Sequence, residues 1–203
     1  MKYAHRRHLT PKIFIYCNGE LAEPLYFQAL KDYLKSTSIK VIYKRFTHTS
    51  PWELIGKVSA EKEGLKRQGK YYEKDGDQCW CVFDIDNYWK ENPKAFHKAL
   101  QDAQKNNIRL AWSNECFELW YLLHFQKLTS TIPRGDYETK LKAHFKKLDG
   151  KSYTKNDDVF LRLIKLQPIA IKNAKSIHVE GMIDNNPSTS IFLLIEEIVK
   201  ICG

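Results

Sequence analysis

The stretch Gln78-Cys79-Trp80-Cys81-Val82-Phe83-Asp84-Ile85-Asp86-Asn87-Tyr88-Trp89 decides how the rest of the chain is read. A short apolar run, Cys79 to Phe83, ends abruptly in Asp84-Ile85-Asp86-Asn87. An apolar run of this length bounded by polar turn residues reads as a fully buried strand. Side chains alternate along an extended chain, so Asp84 and Asp86 are expected to point the same way. Two carboxylates held that close repel each other. A divalent cation such as magnesium, which prefers hard oxygen ligands, relieves the repulsion. The same residues also suit a plainer role, as turn and helix-cap residues after a strand.

Working outward, Lys12 to Cys17 is β-branched and aromatic and predicts a first strand. It stops at the turn Asn18-Gly19-Glu20. Glu23-Pro24 opens a helix, with proline at a favoured first-turn position and a carboxylate near the positive helix end. Leu25, Phe27, Leu30, Tyr33 and Leu34 form its apolar face. Ile39 to Phe46, which includes Arg45, predicts a second strand. His48-Thr49-Ser50-Pro51 starts a helix to Lys66, with Trp52, Ile55, Val58 and Leu65 inward. Gln68 to Asp77 is polar and reads as a mobile loop. After the central stretch, Phe96, Ala99, Leu100 and Ala103 predict a helix over Pro93 to Lys105, and Ile108 to Trp112 a fourth strand.

Strands alternating with helices predict an α/β fold, a mostly parallel sheet flanked by helices. In such sheets the site lies beyond the C-terminal strand ends, where the strand order reverses. Glu20 follows the first strand, and Asp84 and Asp86 follow the third. If those strands are neighbours, the three carboxylates meet in one crevice, and they form the candidate catalytic and metal-binding set.

Ser113 to Phe125 opens the second half, with Ser113 or Asn114 expected to cap a helix after the fourth strand. That helix is apolar nearly all round, yet it carries Glu118. A buried carboxylate needs a cation, a metal or hydrogen-bond donors beside it. Beyond Gln126 the chain is helical and basic. Lys140, Lys142, His144, Lys146 and Lys147 crowd one amphipathic segment whose inner face is Leu141, Phe145 and Leu148. The four lysines are candidate contacts to a nucleic-acid backbone. Phe160 to Ala174 predicts another helix, kinked at Pro168, and Asn186-Pro187 leads into a last one through Ile201. The expected organisation is an α/β core over 1–126 and a helical C-terminal extension over 127–203 packed on it.

Composition sets the outer limits. The chain has 203 residues, 43% apolar and 28% charged, which is ordinary for a globular protein with a sizeable core. No apolar run approaches a membrane span and the N-terminus lacks a signal-peptide pattern, which predicts a cytoplasmic protein. Five cysteines without Cys-x-x-Cys spacing read as reduced core residues rather than a disulfide frame or zinc site. A net charge of +9 suits a polyanionic partner, although many lysines serve only solubility. His5, Arg6, Arg7 and His8 form a short basic arm that reads as a frayed terminus.

Three ordered motifs resemble the RloB-like family. They are Tyr16-Cys17-Asn18-Gly19-Glu20-Leu21-Ala22-Glu23-Pro24-Leu25-Tyr26-Phe27, then Val82-Phe83-Asp84-Ile85-Asp86, then Ser113-Asn114-Glu115-Cys116-Phe117-Glu118-Leu119-Trp120. Asn186-Pro187-Ser188-Thr189-Ser190 is similar to the family's closing motif. The resemblance implies a Toprim-type core and a prokaryotic anti-phage defence protein working beside an ATPase partner. It also implies Mg²⁺- or Mn²⁺-dependent phosphodiester chemistry on nucleic acid, with Asp84 and Asp86 as the metal pair. Where the Toprim pattern has its first acid, this chain has Asn18. That keeps an oxygen but loses the charge, so Glu20 or Glu23 is expected to take over. The competing expectation is a catalytically weakened module that binds the ATPase or nucleic acid. A topoisomerase or primase is disfavoured, because a chain this short leaves no room for their additional domains.

Overall fold

The computed structural model describes residues 10–43 and 46–202. The basic arm at His5 to His8, and Arg45, lie outside them. Five strands form one sheet: β1 (Ile13–Cys17), β2 (Ile39–Ile42), β3 (Gln78–Asp84), β4 (Ile108–Asn114) and β5 (Ser188–Thr189). Their order is β2-β1-β3-β4-β5. The first four are parallel, and β5 runs antiparallel on β4. The expected α/β architecture is therefore present. Strand order reverses between β1 and β3, because β2 lies on one side of β1 and the later strands on the other. Cys17, the last residue of β1, pairs with Val82, so β3 runs on past it to Asp84.

Both faces of the sheet are covered, which is why β1 and β3 are apolar at nearly every position rather than alternating. On one face, Phe14, Tyr16, Cys79, Cys81 and Phe83 pack under α2 (Pro51–Arg67) and α4 (Pro93–Lys105). On the other, Ile13, Ile15, Cys17, Trp80 and Val82 pack under α1 (Ala22–Tyr33), α5 (Glu118–Leu123), α6 (Arg134–Asp149), α7 (Phe160–Leu163), α8 (Gln167–Ile177) and α9 (Ile191–Cys202). A single turn, α3 (Tyr88–Glu91), follows β3. Ser50 starts α2 through a reciprocal capping box with Glu53. All five cysteines are free, and four of them are buried. Among the described residues no helix is long and apolar enough to cross a membrane.

Several expectations need correction. Ser113 and Asn114 are the last residues of β4, not caps of α5. Ser113 shares a hydrogen bond with Thr189, and Asn114 donates to the carbonyls of Asp184 and Asn185, so both tie down the short antiparallel strand. The described part of the second strand ends at Ile42. The helix expected across Pro168 breaks ahead of it into α7, a 3₁₀ turn and α8, since proline suits the first turn of a new helix. Tyr33 and Leu148, expected inward, are exposed. Tyr26 takes the central place in α1, ringed edge-on by Phe27, Phe117, Trp120 and Phe160.

The loop expected to be mobile, Gln68 to Asp77, is anchored. Asp77 accepts from the amides of Lys12 and Tyr72, and Tyr71 is buried. Beneath it lies Lys62, 1% exposed, whose ammonium donates to Glu73 at 3.0 Å and to the carbonyls of Asn106 and Asn107 at 2.6 and 2.9 Å. Three acceptors match its three donors, so the buried charge is satisfied.

His124, buried after α5, donates through Nδ1 to the Trp120 carbonyl, while Nε2 meets no partner. Desolvation lowers its pKa from 6.5 to about 4. The folded chain keeps it neutral where the unfolded chain protonates, so unfolding takes up a proton between those values. Stability is therefore expected to fall as pH drops through that window, by up to about 1.4 kcal/mol per pH unit. Urea unfolding of the wild type and His124→Asn at stepped pH checks this. The variant should lose that slope whatever its stability at pH 7, and parallel profiles would show that His124 is not the group responsible.

Candidate active site

The site forms where β1 and β3 end side by side. Past β1 the chain turns through Asn18 and Gly19 into α1, which brings Glu23 into the helix's first turn, 5% exposed. Its carboxylate lies against the α-carbon of Gly19, where any Cβ would overlap it. The amides of Gly19 and of Glu23 itself donate to that carboxylate. The need for glycine at 19 is thus steric.

Past β3, Asp84 and Asp86 come together by a route other than strand alternation. The strand ends at Asp84, and Asp86 adopts a left-handed backbone, φ +46°. Asp tolerates that region better than most residues. Neither acid caps a helix: α3 begins after Asn87 and has no side-chain cap. Arg134, the first residue of α6, reaches across from the helical extension. Its Nη2 lies 3.2 Å from Asp84 Oδ2, and its Nη1 bonds Asp86 Oδ1. The other oxygen, Asp84 Oδ1, is buried without a side-chain partner.

Glu118 completes the acidic wall from α5, 7% exposed. Lys155 approaches it at 3.7 Å. Tyr121, one turn along α5, donates to the Ala22 carbonyl at 2.9 Å. That bond holds the start of α1 against α5, so Glu23 and Glu118 share one crevice. The three acids act on one another. Burial, then the charges of Glu23 and Glu118, push the Asp84 pKa well above the usual carboxylate range, against the pull of Arg134 and of the Phe117 backbone N–H. Burial and the charge of Glu118 raise Glu23 to about 7.

A cavity of about 160 Å³ opens here, lined by Asn18, Gly19, Glu23, His48, Thr49, Asp84, Asp86 and Tyr88. A wider cleft of about 540 Å³ runs along α2, but among the described residues lining it Glu61 is the one carboxylate. The smaller cavity therefore has the chemistry.

The sequence-derived residues divide as follows. Asp84, Asp86 and Glu23 line the cavity, and Glu118 stands behind them. Glu20 points to the rim, where it pairs with His48 at 2.7 Å, both well exposed. Asn18 is turned to Thr49: its Nδ2 donates to the Thr49 carbonyl and its Oδ1 accepts from the Thr49 amide, while the Thr49 hydroxyl donates to the Phe46 carbonyl. Ser113 and Asn114 serve β5, as described. Lys140, Lys142, Lys146 and Lys147 all lie on α6, with Lys142 paired to Glu138. Arg134, Lys155 and His48 carried no local signal, since each reaches the crevice only through the fold. Among the described residues, no three His, Cys, Asp or Glu side chains stand as a ready-made metal-binding group.

Strand order and crevice define a class, a doubly wound α/β protein with an acidic site at its switch point. Within it, the chain belongs to the RloB-like protein family, whose model matches residues 13–198. No match was found among curated proteins or among solved structures.

Gly19→Ala is expected to destabilise by about 1–3 kcal/mol, the usual range for overpacking. Gly56→Ala and Gly64→Ala, in open space on α2, should instead stabilise by about 0.5–1 kcal/mol. Adding Glu23→Ala to Gly19→Ala should recover most of the loss. Denaturant midpoints decide, and a Gly19→Ala protein as stable as wild type would contradict the close packing of Glu23.

Proposed function

We propose that the chain is a metal-dependent nuclease subunit of a prokaryotic antiviral defence system, hydrolysing phosphodiester bonds in nucleic acid beside an ATPase partner. The observation that carries this reading is the cavity lined by Glu23, Asp84 and Asp86, with Glu118 behind them and Asp84 Oδ1 buried without a side-chain partner. A buried oxygen so placed among hard carboxylates suits Mg²⁺ or Mn²⁺. Asp84 and Asp86 would hold the cation, with Glu23 in place of the acid that Asn18 does not supply. A bound cation would make water a better nucleophile and offset charge on the phosphoryl oxygens.

The chain's own residues supply the rest. Glu23, on the cavity wall beside the aspartates, is placed to take a proton from the attacking water. Glu20 and His48 stand at the rim, where an exposed pair contacts an entering strand. Arg134, Lys155 and the lysines of α6 would hold the phosphate backbone. A second reading, a weakened module that binds the ATPase or nucleic acid without cutting it, is favoured by one observation. Arg134 already neutralises the two aspartates.

Cleavage of a mixed DNA and RNA panel with Mg²⁺ or Mn²⁺, with and without chelator, separates the readings. Asp84→Asn and Asp86→Asn should each abolish chelator-sensitive cleavage. The fold opposes ionisation of Asp84, so the melting temperature of Asp84→Asn at neutral pH should hold or rise. Cleavage that survives both substitutions with its metal dependence unchanged would reject the site, and a wild type that binds nucleic acid but never cuts it would favour the second reading.

A further inference from the structure

Arg134 is more than a salt-bridge partner. Its guanidinium spreads over two carboxylates, one contact to each, and does not reach Asp84 Oδ1. A permanent structural partner would more often engage one carboxylate through both of its oxygens, the geometry in which arginine is strongest. The side chain is also 47% exposed and springs from the first residue of a helix, so it can swing out without moving the backbone. Lys155 repeats the arrangement at Glu118, 54% exposed and only loosely seated at 3.7 Å. Both cations come from residues beyond the sheet, and both face acids that crowd one another.

We propose that Arg134 is the exchangeable counter-ion of the crevice. It neutralises Asp84 and Asp86 until a divalent cation takes them. Once displaced, it presents its guanidinium at the rim to a phosphate of the nucleic acid. Cation and nucleic acid then bind cooperatively, because each removes what the other must displace: the cation frees the guanidinium, and the phosphate keeps it from returning. This rests on the metal-dependent reading above and assigns Arg134 a positioning role within it.

The test measures binding, not turnover. Mn²⁺ affinity is read by electron paramagnetic resonance for wild type, Arg134→Gln, Arg134→Lys and Asp84→Asn, with thermal melts confirming that each is folded. A short single-stranded oligonucleotide, as DNA and as RNA, is titrated with and without Ca²⁺. Arg134→Gln is expected to bind Mn²⁺ about tenfold tighter than wild type. Arg134→Lys, which keeps a charge without the fork, should fall between them. Ca²⁺ should tighten oligonucleotide binding by wild type and leave Arg134→Gln unchanged. Suppose instead that Asp84→Asn abolishes Mn²⁺ binding while Arg134→Gln binds it no tighter than wild type, or that Arg134→Gln keeps the Ca²⁺ effect. Arg134 is then not the counter-ion, and the metal site stands. If neither wild type nor Arg134→Gln binds Mn²⁺, the metal reading itself fails and takes the inference with it.

Discussion

Mutual repulsion among buried carboxylates is the constraint on which the rest of this structure turns. Glu23, Asp84 and Glu118 lie behind one crevice, where low local polarity strengthens their interaction. Their crowding favours the protonated forms of Glu23 and Asp84. Two devices hold the cluster together. One is positive charge, from Arg134 across Asp84 and Asp86 and from Lys155 at Glu118. The other is packing that gives the acids no room to retreat. Gly19 and the start of α1 enclose Glu23, the Tyr121 bond to Ala22 clamps α1 on α5, and the ring of aromatics around Tyr26 fills the space behind. Folding energy elsewhere in the chain thus holds these carboxylates together, where their own stability would not put them.

The helical extension takes its meaning from the same constraint. Its buried side chains Tyr137, Leu141 and Phe145 belong to the cluster that covers one face of the sheet. Both cations of the crevice also come from it. A sheet with four carboxylates at its switch point and no extension would lack their counter-charge. Residues 127–203 are therefore joined to the rest of the chain by electrostatics, by apolar contact and by the pairing of β5 with β4.

Much of the framework was legible because its signals are local. The apolar runs of β1 and β3, the Ser50-Pro51 start of α2 and the periodicity of α4 need only their neighbours in sequence. Glu118 was legible as well, through the cost of a carboxylate in an apolar helix. What escaped depends on distant residues. The two-residue strand β5 exists because it pairs with Ser113 and Asn114, whose side chains hold Thr189 and the loop ahead of the strand. Lys62 looks like any surface lysine, since the carbonyls of Asn106 and Asn107 that satisfy it lie over forty positions away. Asp84 and Asp86 were rightly seen as neighbours but for the wrong reason, because a left-handed residue after the strand replaced the expected alternation. Arg134 could not be seen at all, being one arginine among thirty-three basic side chains until the fold lays it on the aspartates.

Asn18, directly after β1, is accounted for by local bonding. Its amide exchanges two hydrogen bonds with the backbone of Thr49, giving to the carbonyl and taking from the N–H. A carboxylate accepts but cannot donate, so a glutamate or aspartate in that pose would face the Thr49 carbonyl with like charge. The bond matters because Thr49 immediately precedes Ser50, the cap of α2. Asn18 therefore fastens the β1–α1 turn to the start of the helix on the opposite face of the sheet. The Thr49 hydroxyl donates to the Phe46 carbonyl, so the Thr49 amide is the bond that holds Asn18 Oδ1 toward the start of α2. The oxygen that the sequence appeared to keep for coordination is used for scaffolding. Glu23, lodged against Gly19, is the carboxylate that lines the cavity beside it.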